Sequence, residues 1–304
     1  MRPKALSIAE ILPGLERDEA ARLAAIAKSK KVVPVVLAGF AAGFVAAIKF
    51  GAPPPVYFII VGFAVAAGFI IPQLFLSSVR SLTKNNIVGG VCRFLGWTFS
   101  ETVEDPLDFE TYGELGLLPT SYSRSKFEDR MSGEAHGANF SFYEAHLEKK
   151  KKSGKNTHWV TVFRGQLLTL EFDQKFLGRT VVLRDKGWLQ GKKKGDMKRV
   201  GLVDPVFEDI FEAYGTDQVE ARYLLTPTFM QRLVDLESSV DGNNIRFGFN
   251  GGQLLIAVET ANRYEAGSMF KPLIETARTQ KILDEIGAIY DLIDGVIVRR
   301  QSRK

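Results

Sequence analysis

The sequence predicts an α+β protein: an N-terminal two-helix transmembrane hairpin, then a soluble mixed domain with antiparallel β-hairpins and a long C-terminal helix. Three observations predict it. Residues 32–76 contain two apolar runs with no charge inside either, joined by a seven-residue turn. Several runs between 130 and 260 are rich in apolar and aromatic residues and are bounded by Gly, Asn and Asp, as strands are. Beyond Pro272, Ile282, Ile286, Ile289, Ile293 and Val296 recur at helical steps of four and three.

The first apolar run, Val32 to Ile48, covers about 26 Å as a helix. The second, Val56 to Leu76, covers about 31 Å, close to the thickness of a bilayer core. Buried helices of a soluble protein ordinarily carry a polar face. Here Tyr57 and Gln73, both near run ends, are the notable polar residues. The lipid bilayer is therefore the first expected partner. Gly51 and Pro53-Pro54-Pro55 stop one helix and stiffen the turn before the next. Gly39/Gly43, Gly62/Ala66 and Ala64/Gly68 are small residues at spacings that let helices approach, so the two helices are expected to pack through them. Arg17, Arg22, Lys28, Lys30 and Lys31 precede the first run, and Arg80, Lys84 and Arg93 follow the second. The connecting turn has only Lys49. Positive charge stays inside, so both termini are expected in the cytoplasm.

The chain carries 40 Lys and Arg against 35 Asp and Glu. Residues 1–80 hold nine and four of these, which leaves the remainder balanced at 31 and 31. The basic excess belongs to the apolar flank, and no nucleic-acid partner is expected. Cys92 is the single cysteine, so an intramolecular disulfide and a cysteine-based zinc site are excluded. The first apolar run starts behind a leader with Glu10, Glu16, Asp18 and Glu19, unlike a cleavable signal peptide.

In chain order, residues 1–31 read as a juxtamembrane amphipathic helix interrupted at Pro13-Gly14, and 32–76 as the hairpin (32–48 and 56–76). Residues 77–124 read as a membrane-proximal helix and linker, with Trp97 as a core anchor. Residues 125–304 read as a cytosolic α+β domain. Within it, a hairpin is expected around Gly137-Ala138-Asn139, with LEKKKKSGKN as a charged, flexible loop. Asp204-Pro205 starts a helix and Gly215 ends it. Thr226-Pro227 starts another. Asn250-Gly251 joins two strands in the strongest hairpin signal of the chain.

Motifs for chemistry fail on spacing. SGKNT at 153–157 lacks the upstream glycine and the following hydroxyl residue of a phosphate loop. Glu134-Ala135-His136 and Glu144-Ala145-His146 share a pattern with metal-binding pairs. The expected register sets His136 against Phe140 and His146 against Arg130, roughly 20 Å apart, too far for one ion. His158 has no spacing that links it to either. No metal, no cofactor and no G-x-S-x-G serine elbow are expected.

TVFRGQLLTLEFDQKFLGRTVVLRDKG (161–187), DPVFEDIFEAYGTDQVEARYLLTPTFMQRLVDL (204–236) and IRFGFNGGQLLIAVET (245–260) together resemble a bacterial membrane-anchored family of uncharacterised function, the domain of unknown function numbered 3137. The preceding SGEAHGANFSFYEAHLEKK extends the likeness, which covers roughly 130–290. The resemblance implies an uncharacterised module tethered to the bacterial inner membrane as a multi-pass protein. It implies no activity and no catalytic residue. The expected role is a membrane-anchored interaction or scaffold module with an unidentified protein partner. A membrane-tethered enzyme acting on a membrane-proximal substrate is the alternative. Arg164, Arg179, Asp217 and Arg222, charged residues inside strongly patterned segments, are the candidate binding patch. Fold-shaping ion pairs are the competing role for them.

Overall fold

A computed structural model describes residues 8–135, 137–154, 156–171, 177–185, 195–239, 242–261 and 276–297. The chain divides into two compact units. One comprises Leu6–Gly90 with Glu265–Ile282, the other Val91–Tyr264 with Met1–Ala5 and Leu283–Lys304.

The first unit is an antiparallel pair of long helices. Helix α1 runs Ile8–Lys49 and α2 runs Pro54–Phe94, 42 and 41 residues. Three contacts fix their sense. The Asn86 amide donates to both carboxylate oxygens of Asp18 at 2.8 and 2.9 Å. Ala25 packs with Leu76 and Val79. Phe44 meets Tyr57 edge-on at 5.5 Å. As position rises along α1 it falls along α2. At the turn, Gly51 adopts φ 66, and the Ala52 amide returns to the Ala47 carbonyl at 2.9 Å.

Two expectations about this unit are corrected. Pro13-Gly14 does not interrupt α1, because a proline near a helix start removes a single backbone bond. Helix α2 continues through Pro72 from the apolar run into the residues after it, in keeping with the helical period of Ile87, Val88, Val91 and Phe94. The glycines do not mediate close packing either. A Cβ added at Gly39, Gly43, Gly62 or Gly68 would meet nothing within 4 Å. The half-buried face of α1 is instead Val33, Val36, Phe40, Phe44 and Ala47, from which Phe44 meets Tyr57 of α2.

The second unit is built on one nine-stranded sheet, ordered β1-β2-β3-β4-β9-β8-β5-β7-β6, with every described pairing antiparallel. Its strands are β1 (Thr98–Val103), β2 (Arg124–Ala135), β3 (Ala138–Ser153), β4 (Asn156–Glu171), β5 (Thr180–Arg184), β6 (Lys198–Arg199), β7 (Phe211–Gly215), β8 (Asn243–Asn250) and β9 (Gln253–Glu259). The helices are α3 (Phe109–Glu114), α4 (Pro205–Ile210), α5 (Gln218–Leu224), α6 (Pro227–Ser239) and α7 (Thr276–Ile297).

Both faces of the sheet are covered. On one, α3 and Leu115, Leu117 and Leu118 pack over Tyr143, Leu167, Leu255 and Ala257. On the other, Phe207 of α4 stacks near Phe211, which meets Phe247, while Phe229 of α6 meets Phe249. Burial on both sides explains why Leu167 to Leu170 are all buried, an unbroken run where a half-exposed strand would alternate. Trp97 is in the core as expected. It meets Phe140 at 4.7 Å and stacks on Tyr290 of α7 at 6.2 Å, and its indole N–H donates to the Glu134 carbonyl.

Turn chemistry met expectation in two places. Gly251 and Gly252, at φ 57 and 99, close the β8–β9 hairpin. Thr226 caps α6 through its hydroxyl, which accepts from the Phe229 amide. At α4 only half of the expectation held. Asp204 accepts from the Phe207 amide at 3.0 Å, but the helix stops at Ile210 and Phe211–Gly215 is strand β7. The apolar residues there satisfy either period, and the exposed edge of β5 selects the extended one. The long C-terminal helix is not seen. The last helix, α7, is 22 residues, about half the length of α1. Its stripe buries Ile286, Ile289 and Ile293, the few turns needed to cover part of its own unit.

Candidate interaction surface

Three of the four sequence-chosen residues make hydrogen bonds in one cluster of loops and helix ends. The Asp217 carboxylate caps α5, accepting from the amides of Val219 and Glu220 at 2.8 and 3.0 Å. Arg179 donates to both oxygens of Asp196 at 2.6 and 2.7 Å. Arg222 points Nε toward the Gly201 carbonyl at 3.4 Å. Glu220 completes this cluster by accepting the amides of Leu177 and Gly178 at 2.7 and 2.6 Å. The cluster also leaves apolar side chains uncovered. Leu177, Val203, Val219 and Tyr223 are 96%, 90%, 78% and 69% exposed.

Arg164 stands apart from the other three. The register puts Thr180 level with Phe249, Leu254 and Leu170, three strand steps across the sheet. Arg164 lies six residues further along β4, so it is roughly 20 Å along the strands, and three strands across, from the level of Thr180 beside Arg179. It belongs to a different feature. Lys126, His146 and Arg164 form a row across β2, β3 and β4, and Glu128, Glu144 and Gln166 form the next row on the same face. Lys126 pairs with Glu128 at 2.8 Å, and the His146 ring nitrogen meets the Thr161 hydroxyl at 2.9 Å. Burial, opposed by Glu148 and reinforced by Arg164, holds His146 below the ordinary imidazole range. Lys126, Glu128, Glu144, His146 and Arg164 line a groove of ≈ 240 Å³, counting space open to solvent.

The FRG tripeptide has a physical reason here. A Cβ at Gly165 would sit 1.9 Å from the Val258 carbonyl oxygen. The glycine lets β4 and β9 close, and the Thr260 amide then reaches the Arg164 carbonyl at 3.1 Å.

The histidine geometry differs from expectation. The β2–β3 turn closes between Ala135 and Ala138 with Gly137 at φ 79, a tighter turn than residues 137–139 imply. A bulge near Asp129, at φ 58, shifts the register again. His146 therefore faces Lys126 rather than Arg130. His136 lies outside the described residues. His158 sits opposite Lys151, six residues from the partner of His146, roughly 20 Å along the strands. Among the described residues no three His, Cys, Asp or Glu side chains are grouped closely enough to hold a metal ion.

The expected charged loop LEKKKKSGKN is mostly strand. Lys149 to Lys152 continue β3 and pair with Val160, Trp159, His158 and Thr157 of β4. The two strands close at the Ser153–Asn156 pair, with Gly154 at φ 59. The β2 pairing ends at Arg124 opposite Glu148, so the distal ends of β3 and β4 form a two-stranded ribbon. Arg124 pairs with Glu148 at 2.6 Å and lies 4.0 Å from the centre of the Trp159 ring. Sequence reasoning missed this ribbon because four adjacent lysines resemble a solvated loop. The run of β-branched and aromatic residues from Trp159 to Phe163 on the partner strand was the signal for it.

A second buried cluster is structural. Asp108 accepts from the hydroxyls of Tyr143, at 3.0 Å, and Thr169, while Thr169 meets the Tyr112 hydroxyl at 3.0 Å. Burial, then the nearby Asp108 charge, pushes the Tyr112 phenol far up, and burial does the same to Tyr143. These phenols stay protonated and tie α3 to the sheet.

The class defined by these features is an antiparallel-sheet domain with helices on both faces, joined in sequence to a pair of long apolar helices. The model of a family described as Protein of unknown function (DUF3137) matches residues 161–296, from within β4 to the end of α7. The resemblance read from FRG, DQVEARYLLTP and GGQLLIA is thus shown for that segment. No curated protein matches the chain. A solved structure, that of the mycobacterial trehalose monomycolate transport factor A, TtfA, is similar at 13% identity with a TM-score of 0.36. The match covers 70% of this chain and 94% of that one, and at that score it carries no argument about fold or function.

Proposed function

We propose that this chain is a membrane-anchored interaction or scaffold module, with α1 and α2 crossing the bilayer and the sheet domain in the cytoplasm. The observation that carries this reading is the surface of the two helices. Among the described residues, two helices are long and apolar enough to cross a membrane. Val35, Val45, Phe58, Phe63, Phe69 and Leu74 are all more than half exposed. Leaving six such side chains in water forgoes on the order of 9–18 kcal/mol, as much as the whole stability of a typical domain. Lipid is the solvent that suits this surface. The Lys and Arg flanks support cytoplasmic termini and a multi-pass arrangement in a bacterial inner membrane.

The interaction role draws support from the sheet domain. The groove beside Arg164 is below the size of ordinary small-molecule sites. The cluster around Arg179, Asp217 and Arg222 instead presents exposed apolar residues beside charged ones, the mixture found on protein-binding surfaces. The test is extraction. Alkaline carbonate should leave the full-length chain in the membrane pellet and detergent should release it. Release by carbonate overturns the anchored reading.

A further inference from the structure

We infer that the distal β3–β4 ribbon is a finger that binds the anionic headgroup surface of a bilayer. This deepens the anchored reading and rests on it for the nearness of a membrane. The ribbon's placement of charge is the argument. Between residues 148 and 160 the sequence has five lysines and one glutamate, and that glutamate, Glu148, is paired with Arg124. In the register, Lys150 and Lys152 share a face with Arg124 and Trp159, while Lys149 and Lys151 share the other with His158 and Val160. Successive lysines on each face stand roughly 7 Å apart and repel. Lys151, Lys152, His158 and Trp159 are exposed.

Two features distinguish this from a solvated charge run. The charge is carried on a paired ribbon, so the lysines project at fixed spacing. An exposed tryptophan sits among them, 40% accessible, with Arg124 at 4.0 Å and Lys150 at 6.0 Å from its ring. Basic side chains around an accessible indole match the charge and polarity gradient at a membrane interface. A nucleic acid fits less well, because the sequence beyond residue 80 is charge-balanced.

The test uses the full-length chain with Thr157→Cys, labelled at the ribbon end with an environment-sensitive dye. The unsubstituted chain measures background labelling of buried Cys92. Both are reconstituted into vesicles of phosphatidylcholine, alone or mixed with phosphatidylglycerol. The expected result is a blue shift only with phosphatidylglycerol, reversed by high salt. Lys150→Gln with Lys152→Gln should weaken the contact roughly fivefold per lysine. A neutral-lipid signal equal to the anionic one overturns the inference. So does a response to added duplex RNA in neutral vesicles with none to phosphatidylglycerol. A carbonate wash of the same vesicles tests the anchor separately. If the chain is released, the anchored reading fails, and the dye is read on chain added to preformed vesicles. A shift there keeps the finger, and no shift removes it.

Discussion

Gly165 and Val258 approach so closely that β4 and β9 pair only because residue 165 has no side chain. Gly165→Ala should therefore part the two central strands and cost about 3 kcal/mol. Gly201→Ala is the control, since a Cβ there meets nothing within 4 Å, and it should change stability by less than about 0.5 kcal/mol. Thermal unfolding of both variants in the same detergent checks the difference. Equal melting temperatures would show that the strands shift at little cost.

Asp108 accepts two hydroxyls from the sheet, so removing it leaves Tyr143 and Thr169 without that acceptor. Asp108→Ala should destabilise the domain by about 1–3 kcal/mol, and Tyr112→Phe, which removes the hydroxyl that meets Thr169, by about 1 kcal/mol. Denaturant unfolding that ranks the variants in the opposite order would contradict this network.

His146 binds a proton less tightly in the folded chain than at its ordinary value of 6.5. Between the lowered value and 6.5 the unfolded chain holds more proton, so stability falls as pH drops through that window. Below the native value both states are protonated and the loss levels off. His146→Gln should flatten this part of the stability profile between pH 7 and 5. An unchanged profile in the variant would assign the slope to other groups.

Asp217 caps α5 with two backbone bonds, whereas Arg222 makes one long contact to a carbonyl. Asp217→Ala should cost about 1 kcal/mol, and Arg222→Ala should be close to neutral. If a partner binds this surface, Arg222→Ala is the variant that weakens binding without unfolding the site. A large loss of stability in Arg222→Ala would instead make it a fold-shaping residue.

Cys92 is buried, so its failure to react reports burial and not the side of the membrane. Topology is better read from Ala52→Cys in the helix turn and Thr157→Cys in the exposed ribbon. An impermeant maleimide should label Ala52→Cys on intact cells and Thr157→Cys only after lysis. The reverse pattern inverts the proposed orientation.

Local chemistry made much of this fold legible. The caps at Asp204 and Thr226, the glycine turn at 251 and the burial of Trp97 depend on residues close in sequence or on bulk alone. Longer elements were harder to read. Phe211 and Tyr214 fit a helix period equally well, and pairing with β5 decided against it. The lysine run looked like a loop until the partner strand was counted. Arg164 and Arg179 looked like one patch, yet the sheet order separates them by three strands.

By itself, the sequence determined that residues 32–76 carry two charge-free apolar runs, that the basic excess lies with them, and that several caps and turns have a single chemical reading. Those properties follow from composition and from neighbours a few residues apart. Tertiary structure alone decided that α1 and α2 meet through pairs such as Phe44 and Tyr57 rather than through glycines, that FRG requires its glycine because Val258 lies against it, and that four lysines stand on a paired ribbon. Each depends on a residue far away in the chain, and only the register of strands or the rotation of a helix about its axis brings that residue near.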